Sequence, residues 1–216
     1  MTSARALAAL LAYPEAELIE GLPLLKEIFS GDKDLEELLE EMQREELHVL
    51  QERYVELFDR SRALSLHLFE HVHGESRDRG QAMVDLAATY ASRGFEVADG
   101  ELPDYLPAFL EFVSVLDPGE GKNLLKETAE ILRSLGDRLA ERGSRYSAVF
   151  AALLAAAGEA GLAKKLAPRR VPGEENSPAA IDKAWMEEPV TFMDGPQPNA
   201  MNGPQPVRFY EKGTRP

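Results

Sequence analysis

Cysteine is absent from the 216 residues. That removes disulfide frameworks, thiolate metal sites and cysteine nucleophiles, and it suits a reducing compartment. Positive charge is scarce: 24 Lys and Arg stand against 38 Asp and Glu, for a formal net charge of -14. Nucleic acid is therefore excluded as a partner, because phosphate contacts need a surplus of Lys and Arg. Long apolar runs are also missing, and nothing approaches the roughly 18 residues of a membrane span. The start, MTSARALAALLAYPEAE, has one early Arg and a short apolar patch without an A-x-A-like site, which reads against a secretory signal. No window sustains a period-two alternation rich in β-branched residues, so no sheet is expected. G-x-G-x-x-G, G-x-x-x-x-G-K-[ST] and G-x-S-x-G are all lacking, which leaves nucleotide cradles and nucleophile elbows without a basis.

What is present is helical periodicity. Leu35, Leu38, Leu39, Met42, Leu50, Tyr54, Leu57 and Phe58 recur at three- and four-residue spacing, the mark of a buried stripe on one helix. Further stripes run through Met83, Leu86 and Tyr90, through Phe109, Leu110 and Val113, through Leu132, Leu135 and Leu139, and through Val149, Phe150, Leu153 and Leu154. Gly and Pro punctuate the boundaries, and Ser76 and Ser144 stand where N-caps are needed. The expected fold is all-α, a single compact bundle of six to eight helices over residues 1–167. Residues 168–216 hold nine of the fourteen prolines and two GPQP elements, and read as a flexible tail with an apolar island around Trp185.

Between Asp32 and Glu56 there are ten acids against Lys33, Arg44 and Arg53, half of the body's net charge on one element. Such a run is either a solvated helix face or an electrostatic landing surface for a basic peptide. The histidines offer a metal alternative. His67, Glu70 and His71 spell H-x-x-E-H, a zinc-protease order in which two His at i, i+4 share a helix face, with His73 and Glu75 close by. On a helical wheel, however, His71 lies beside Leu64, Leu68 and Val72, where a buried, hydrogen-bonded His is the commoner outcome.

Two clusters are denser than plain surface. The first runs from Glu56 to Met83; it ends one helix at Phe58, carries a charged turn at Asp59, Arg60 and Arg62, and reaches the polar loop Gly74-Glu75-Ser76-Arg77-Asp78-Arg79-Gly80. A salt-bridge network fixing helix geometry and direct ligand contact are both compatible with it. The second is Glu101-Leu102-Pro103-Asp104-Tyr105-Leu106-Pro107, where Asp104 is placed to cap and Pro107 suits a first helical turn.

Read together, these clusters resemble the nitrate reductase delta subunit family. The resemblance begins at Leu11-Ala12-Tyr13-Pro14-Glu15 and is densest over Tyr54–Arg60 and Leu68–Met83. It continues through Glu101–Pro107 and Ser144-Arg145-Tyr146, and reaches Trp185–Val190. It implies an all-helical, cytoplasmic, non-enzymatic chaperone for molybdenum cofactor insertion into respiratory nitrate reductase. The implied partner is the basic N-terminal segment of the catalytic subunit, with cofactor-delivery proteins as further candidates and no cofactor stably bound. The wider superfamily's aromatic-x-x-Leu-Phe element is matched by Tyr54, Leu57 and Phe58, and its Glu-x-Pro-Asp-His element by Glu101, Pro103 and Asp104. Tyr105 replaces the usual His, so a capping or hydrogen-bonding role carries over there and a proton-specific one does not. The implied partner-binding set comprises those residues with Asp59, Arg60, Glu70, His71, His73, Glu75, Arg77, Asp78 and Arg79. The alternatives are an acidic adaptor that binds a folded surface, and a zinc hydrolase on His67, Glu70 and His71.

Overall fold

A computed structural model describes residues 3–168 except 75, 77 and 99. The chain divides into two units, Met1–Arg170 and Val171–Pro216. The GPQP elements and the Trp185 island lie outside the described residues.

Among the described residues there are ten α-helices, more than the six to eight expected, and the fold is all-α. They are α1 (Ser3–Leu11), α2 (Ala16–Ile28), α3 (Lys33–Arg44), α4 (Leu47–Tyr54), α5 (Leu68–His73), α6 (Asp78–Ser92), α7 (Leu106–Val115), α8 (Pro118–Glu127), α9 (Ala129–Glu141) and α10 (Ser147–Ala157). The extra breaks fall where Gly and Pro are absent. The single helix expected over 32–58 splits at Glu45 and Glu46, whose ψ values of 150° and 149° are extended, and α8 parts from α9 at Thr128. Leu35, Leu38, Leu39 and Met42 on α3, and Leu50 and Tyr54 on α4, bury on the same core, so the apolar periodicity runs through the break.

The two most apolar helices carry the fold. On α10, Val149, Phe150, Leu153 and Leu154 are fully buried, and on α7 Leu106, Phe109, Leu110 and Phe112 are buried. α1 lies along α7 and also touches α10, while α8 and α9 cover α10 from another side. α10 ends at Gly158, whose φ of +76° supplies the left-handed cap that an L side chain resists. Where α9 meets α10, Gly136 permits a close approach. A Cβ there would sit 2.8 Å from the Phe150 Cβ and 2.4 Å from the Leu162 Cδ2.

Three local expectations are corrected. Only Tyr90 of the α6 stripe is buried, with Met83 and Leu86 half-buried. Leu64 lies in a separate short 3-10 turn (Arg62–Leu64) and Val72 is 59% exposed, so no continuous stripe carries His71 into the core. α10 starts at Ser147, three residues after Ser144, whose carbonyl accepts the Ser147 N–H. Ser76 does serve α6, its Oγ accepting the Asp78 N–H at 3.2 Å.

Candidate functional site

α4 does not stop at Tyr54 but widens into a π turn over Val55–Asp59, closed by the Arg60 N–H donating to the Val55 carbonyl at 2.9 Å. Single π turns are costly and cluster at functional sites. This one turns Leu57 and Phe58 inward and leaves Asp59 and Arg60 exposed. Tyr54, just before it, donates its hydroxyl to the Leu11 carbonyl at the end of α1 (2.9 Å), and the Tyr105 hydroxyl lies 2.9 Å from the Tyr54 hydroxyl oxygen. Rings continue in both directions: Tyr13 stands edge-on to Tyr54 at 5.5 Å, Tyr54 meets Phe58 at 5.0 Å, and Phe58 meets Tyr146 at 5.1 Å. Burial pushes the Tyr54, Tyr105 and Tyr146 hydroxyls above the usual phenol value, so they stay protonated throughout the physiological range.

The second cluster closes on a single carboxylate. Asp104 is completely buried. Its Oδ1 lies 3.1 Å from the His67 Nδ1, its Oδ2 accepts the Phe69 N–H at 3.1 Å, and Arg79 approaches at 3.8 Å while pairing with Glu70 at 3.4 Å. The Asp104 carbonyl accepts the Leu68 N–H at 3.0 Å, and the Leu106 N–H donates to the Leu66 carbonyl at 2.8 Å. Together with the antiparallel bridge between His67 and Tyr105, these bonds join two chain segments that lie almost forty residues apart. Asp104 therefore caps a helix, but not its own. Tyr105 holds the N-cap position of α7, and the Asp104 carboxylate satisfies one orphan donor of α5, the Phe69 N–H. The hydrogen bond to Asp104 raises the His67 pKa above its ordinary 6.5, against the opposing effect of burial.

A family model described as "Nitrate reductase delta subunit" matches residues 28–152, which span the π turn, the Asp104 cluster and the first part of α10. The chain belongs to the nitrate reductase delta subunit family. It is 41% identical over 199 residues to the nitrate reductase molybdenum cofactor assembly chaperone NarJ of Escherichia coli, covering 85% of this chain and 81% of that one. It is 33% identical over 146 residues to the nitrate reductase-like protein NarX of Mycobacterium tuberculosis, a much longer chain of which 22% is covered. Among solved structures, a chain described as a redox enzyme maturation protein from Archaeoglobus fulgidus superposes with a TM-score of 0.54 at 20% identity, covering 69% of this chain and 88% of that one; it shares the fold. This member of the delta subunit family is a maturation chaperone and not an enzyme.

Within the delta-family chain, the zinc reading of H-x-x-E-H does not hold. His67 sits before α5 with an extended backbone and turns its Nδ1 to Asp104, whereas His71 donates its Nε2–H to the Ser65 carbonyl at 2.8 Å. The i, i+4 pair does not share a helix face, because α5 starts after His67. Among the described residues no three His, Asp or Glu side chains gather closely enough to hold a metal ion.

The partner-binding set is brought together only in part. Tyr54 meets Tyr105, and Glu70, Arg79 and Asp104 form one network around His67. Leu57 and Phe58 are core residues with little surface to offer a groove. Pro103 enters through its carbonyl, which accepts the buried Tyr90 hydroxyl at 2.8 Å. The His73 ring packs edge-on to Phe69 at 5.5 Å. Asp59, Arg60, Asp78 and Glu101 are exposed, and Glu75 and Arg77 lie outside the described residues.

The acidic helix is also partly spent on internal pairs. Arg53 pairs with Glu41 and with Glu45 at 3.2 Å, and Arg145 pairs with Glu37 and with Glu41 at 3.2 Å. In one continuous helix Glu41 and Arg53 would stand roughly 18 Å apart; the break at Glu45–Glu46 folds α4 back and lets them meet. Beneath this network Tyr146 is buried with an unpaired hydroxyl. From sequence His67 is read only as a zinc ligand, Tyr90 only as part of an apolar stripe and Arg53 only as a cation within the acidic run; Arg145 has a signal in the Ser144-Arg145-Tyr146 element.

Proposed function

We propose that this chaperone binds the basic N-terminal segment of a respiratory nitrate reductase catalytic subunit, one to one and in the cytoplasm. In doing so it keeps the apoenzyme open for insertion of the molybdenum cofactor before membrane attachment. The observation that carries this reading is the rim around the Tyr54–Tyr105 pair. Asp59 and Glu101 both lie close enough to act on those hydroxyls, both are exposed, and neither forms an ion pair with another described residue. Beside Tyr54 stands Tyr13, 43% exposed, and Tyr105 is half-buried. Unneutralised carboxylates around aromatic faces favour Lys and Arg through both charge and ring quadrupole. On α3 and at its end, by contrast, Glu37, Glu41 and Glu45 already hold internal cations.

In this reading the chaperone stores no cofactor itself. With no cysteine and no glycine-rich phosphate loop, it has neither a thiolate ligand for the metal nor a cradle for a phosphate. Among the described residues no helix is long and apolar enough to cross a membrane.

The test is calorimetric titration of the full chain with a peptide from the N-terminus of the co-encoded catalytic subunit, at low and high salt. Saturable 1:1 binding that weakens with salt is expected. Combining Asp59→Asn with Glu101→Gln should weaken it by about 3- to 10-fold and flatten the salt dependence, more than removing two charges from α3 does. No binding at either salt would leave the acidic-adaptor reading instead.

A further inference from the structure

Helices α5 and α6 leave the body and return to it at one place. The chain departs at His67 and comes back at Tyr105, and the bonds across that point tie the two ends to each other. Between them the anchors are few: Phe69, Leu86, Phe95 and Val97 pack half-buried against the core, Phe95 also meeting Phe112 at 5.7 Å. Of the described residues from Phe69 to Pro103, Tyr90 alone is buried. Its ring packs on Phe112 of α7 at 4.4 Å and on Phe95 at 5.4 Å, and its hydroxyl bonds the Pro103 carbonyl. At the far end of α6 an exposed ion pair, Arg93 to Glu120 on α8, is the one salt bridge to the body among the described residues. Segments with so few buried contacts open at a free-energy cost well below that of global unfolding.

We propose that α5 and α6 form a lid that opens as one unit about the His67–Tyr105 clasp, with Tyr90 as its latch, and that opening frees the aromatic seat on Phe112 for an apolar anchor of the bound segment. The clasp makes this possible. Because Asp104, Leu66 and Leu68 close the ends of the excursion, the lid can lift without pulling α7 from the core, where Leu106, Phe109 and Leu110 hold it. The seat already accommodates one large ring, so its occupant is an aromatic or large aliphatic side chain rather than a charged one. Acidic rim and apolar seat would then take the two faces of one amphipathic segment. The second half of this inference rests on the proposed peptide binding; the lid itself does not.

Hydrogen exchange on the full chain tests the lid. The amides of α6 should exchange together, much faster than those of α9 and α10. Tyr90→Ala should speed α6 exchange on the order of 100-fold while α9 and α10 stay protected, and Tyr90→Phe, which keeps the ring, should do so by less than about 10-fold. Exchange of α6 as slow as that of α10, or a Tyr90→Ala effect spread evenly over the chain, would overturn the lid. Since the chain has no cysteine, R93C/E120C can be joined cleanly by a short bis-maleimide. Pinning the lid in this way should protect α6 and weaken peptide binding at least about 10-fold against the unjoined double variant. Equal peptide binding with the lid pinned would refute the seat. Absence of peptide binding in the unjoined variant and the parent alike would refute the peptide reading and leave the exchange result standing.

Discussion

Replacing Asp104 by Asn is the most direct test of the clasp. The side chain keeps its shape and one acceptor but loses the other, and its amide must now face either the Phe69 N–H or the His67 ring. In the native chain those two contacts lie at 3.1 Å each, around a fully buried carboxylate, with Arg79 at 3.8 Å. A hydrogen bond to a charged group contributes about 1.5–3 kcal/mol, and leaving a buried donor unpaired costs a similar amount. Allowing for the acceptor that Asn retains, the expected loss is about 2–4 kcal/mol. At about 2–4 °C per kcal/mol for a domain of this size, Tm should fall by roughly 5–15 °C.

The pH dependence gives a second, independent readout. The hydrogen bond to Asp104 raises the folded His67 pKa above 6.5. The stability tied to that proton is therefore fully present below pH 6.5 and lost as pH rises through the raised folded value. Thermal melts of the parent from pH 5.5 to 8.5 should show this decline, and Asp104→Asn should remove it. In exchange experiments the start of α5 should lose protection first, since the Phe69 amide loses its acceptor. A loss below about 0.5 kcal/mol, or an unchanged pH slope, would refute the role given to Asp104.

Two further substitutions probe how the bundle is held. Gly136→Ala puts a Cβ 2.8 Å from the Phe150 Cβ; the overpacking should outweigh the gain in helix propensity and leave the protein about 1–2 kcal/mol less stable in chemical denaturation, whereas a more stable variant would show that α9 and α10 can part freely. Arg53→Ala strips Glu41 and Glu45 of a partner in a network whose side chains are mostly buried; a loss of about 1–3 kcal/mol that eases as salt screens α3 is expected, and a salt-independent loss would point to packing of the Arg stem instead.

The helical class was legible because it depends on short-range pattern alone. Leu132, Leu135 and Leu139, or Val149, Phe150, Leu153 and Leu154, announce one buried face each, and the structure buries them. What the pattern could not show was where a helix stops without Gly or Pro. At Glu45–Glu46 the backbone turns extended between two helices that bury onto the same core, so the apolar spacing continues as though unbroken. Only the charges hinted at it. Glu41 and Glu45 make no sense as partners of Arg53 along a single helix, and full sense once α4 folds back.

The site was legible in content but not in connectivity. Both dense clusters contribute to it, and Tyr105 of the second meets Tyr54, two residues before the first begins. Yet Asp104 stands where a local cap for α7 would stand, and nothing in its neighbours shows that its carboxylate serves α5, 35 residues earlier. A helix N-terminus needs an acceptor, and at α5 the N-cap His67 supplies no side-chain bond while the Ser65 Oγ is taken by the His67 N–H at 3.3 Å. An orphan N-terminus beside a buried acid far along the chain is thus a pairing to look for in space. That same pairing explains why a histidine read as a zinc ligand becomes the partner of a carboxylate. The ring that would have faced a metal is turned to Asp104, and it closes the clasp on which the lid hinges.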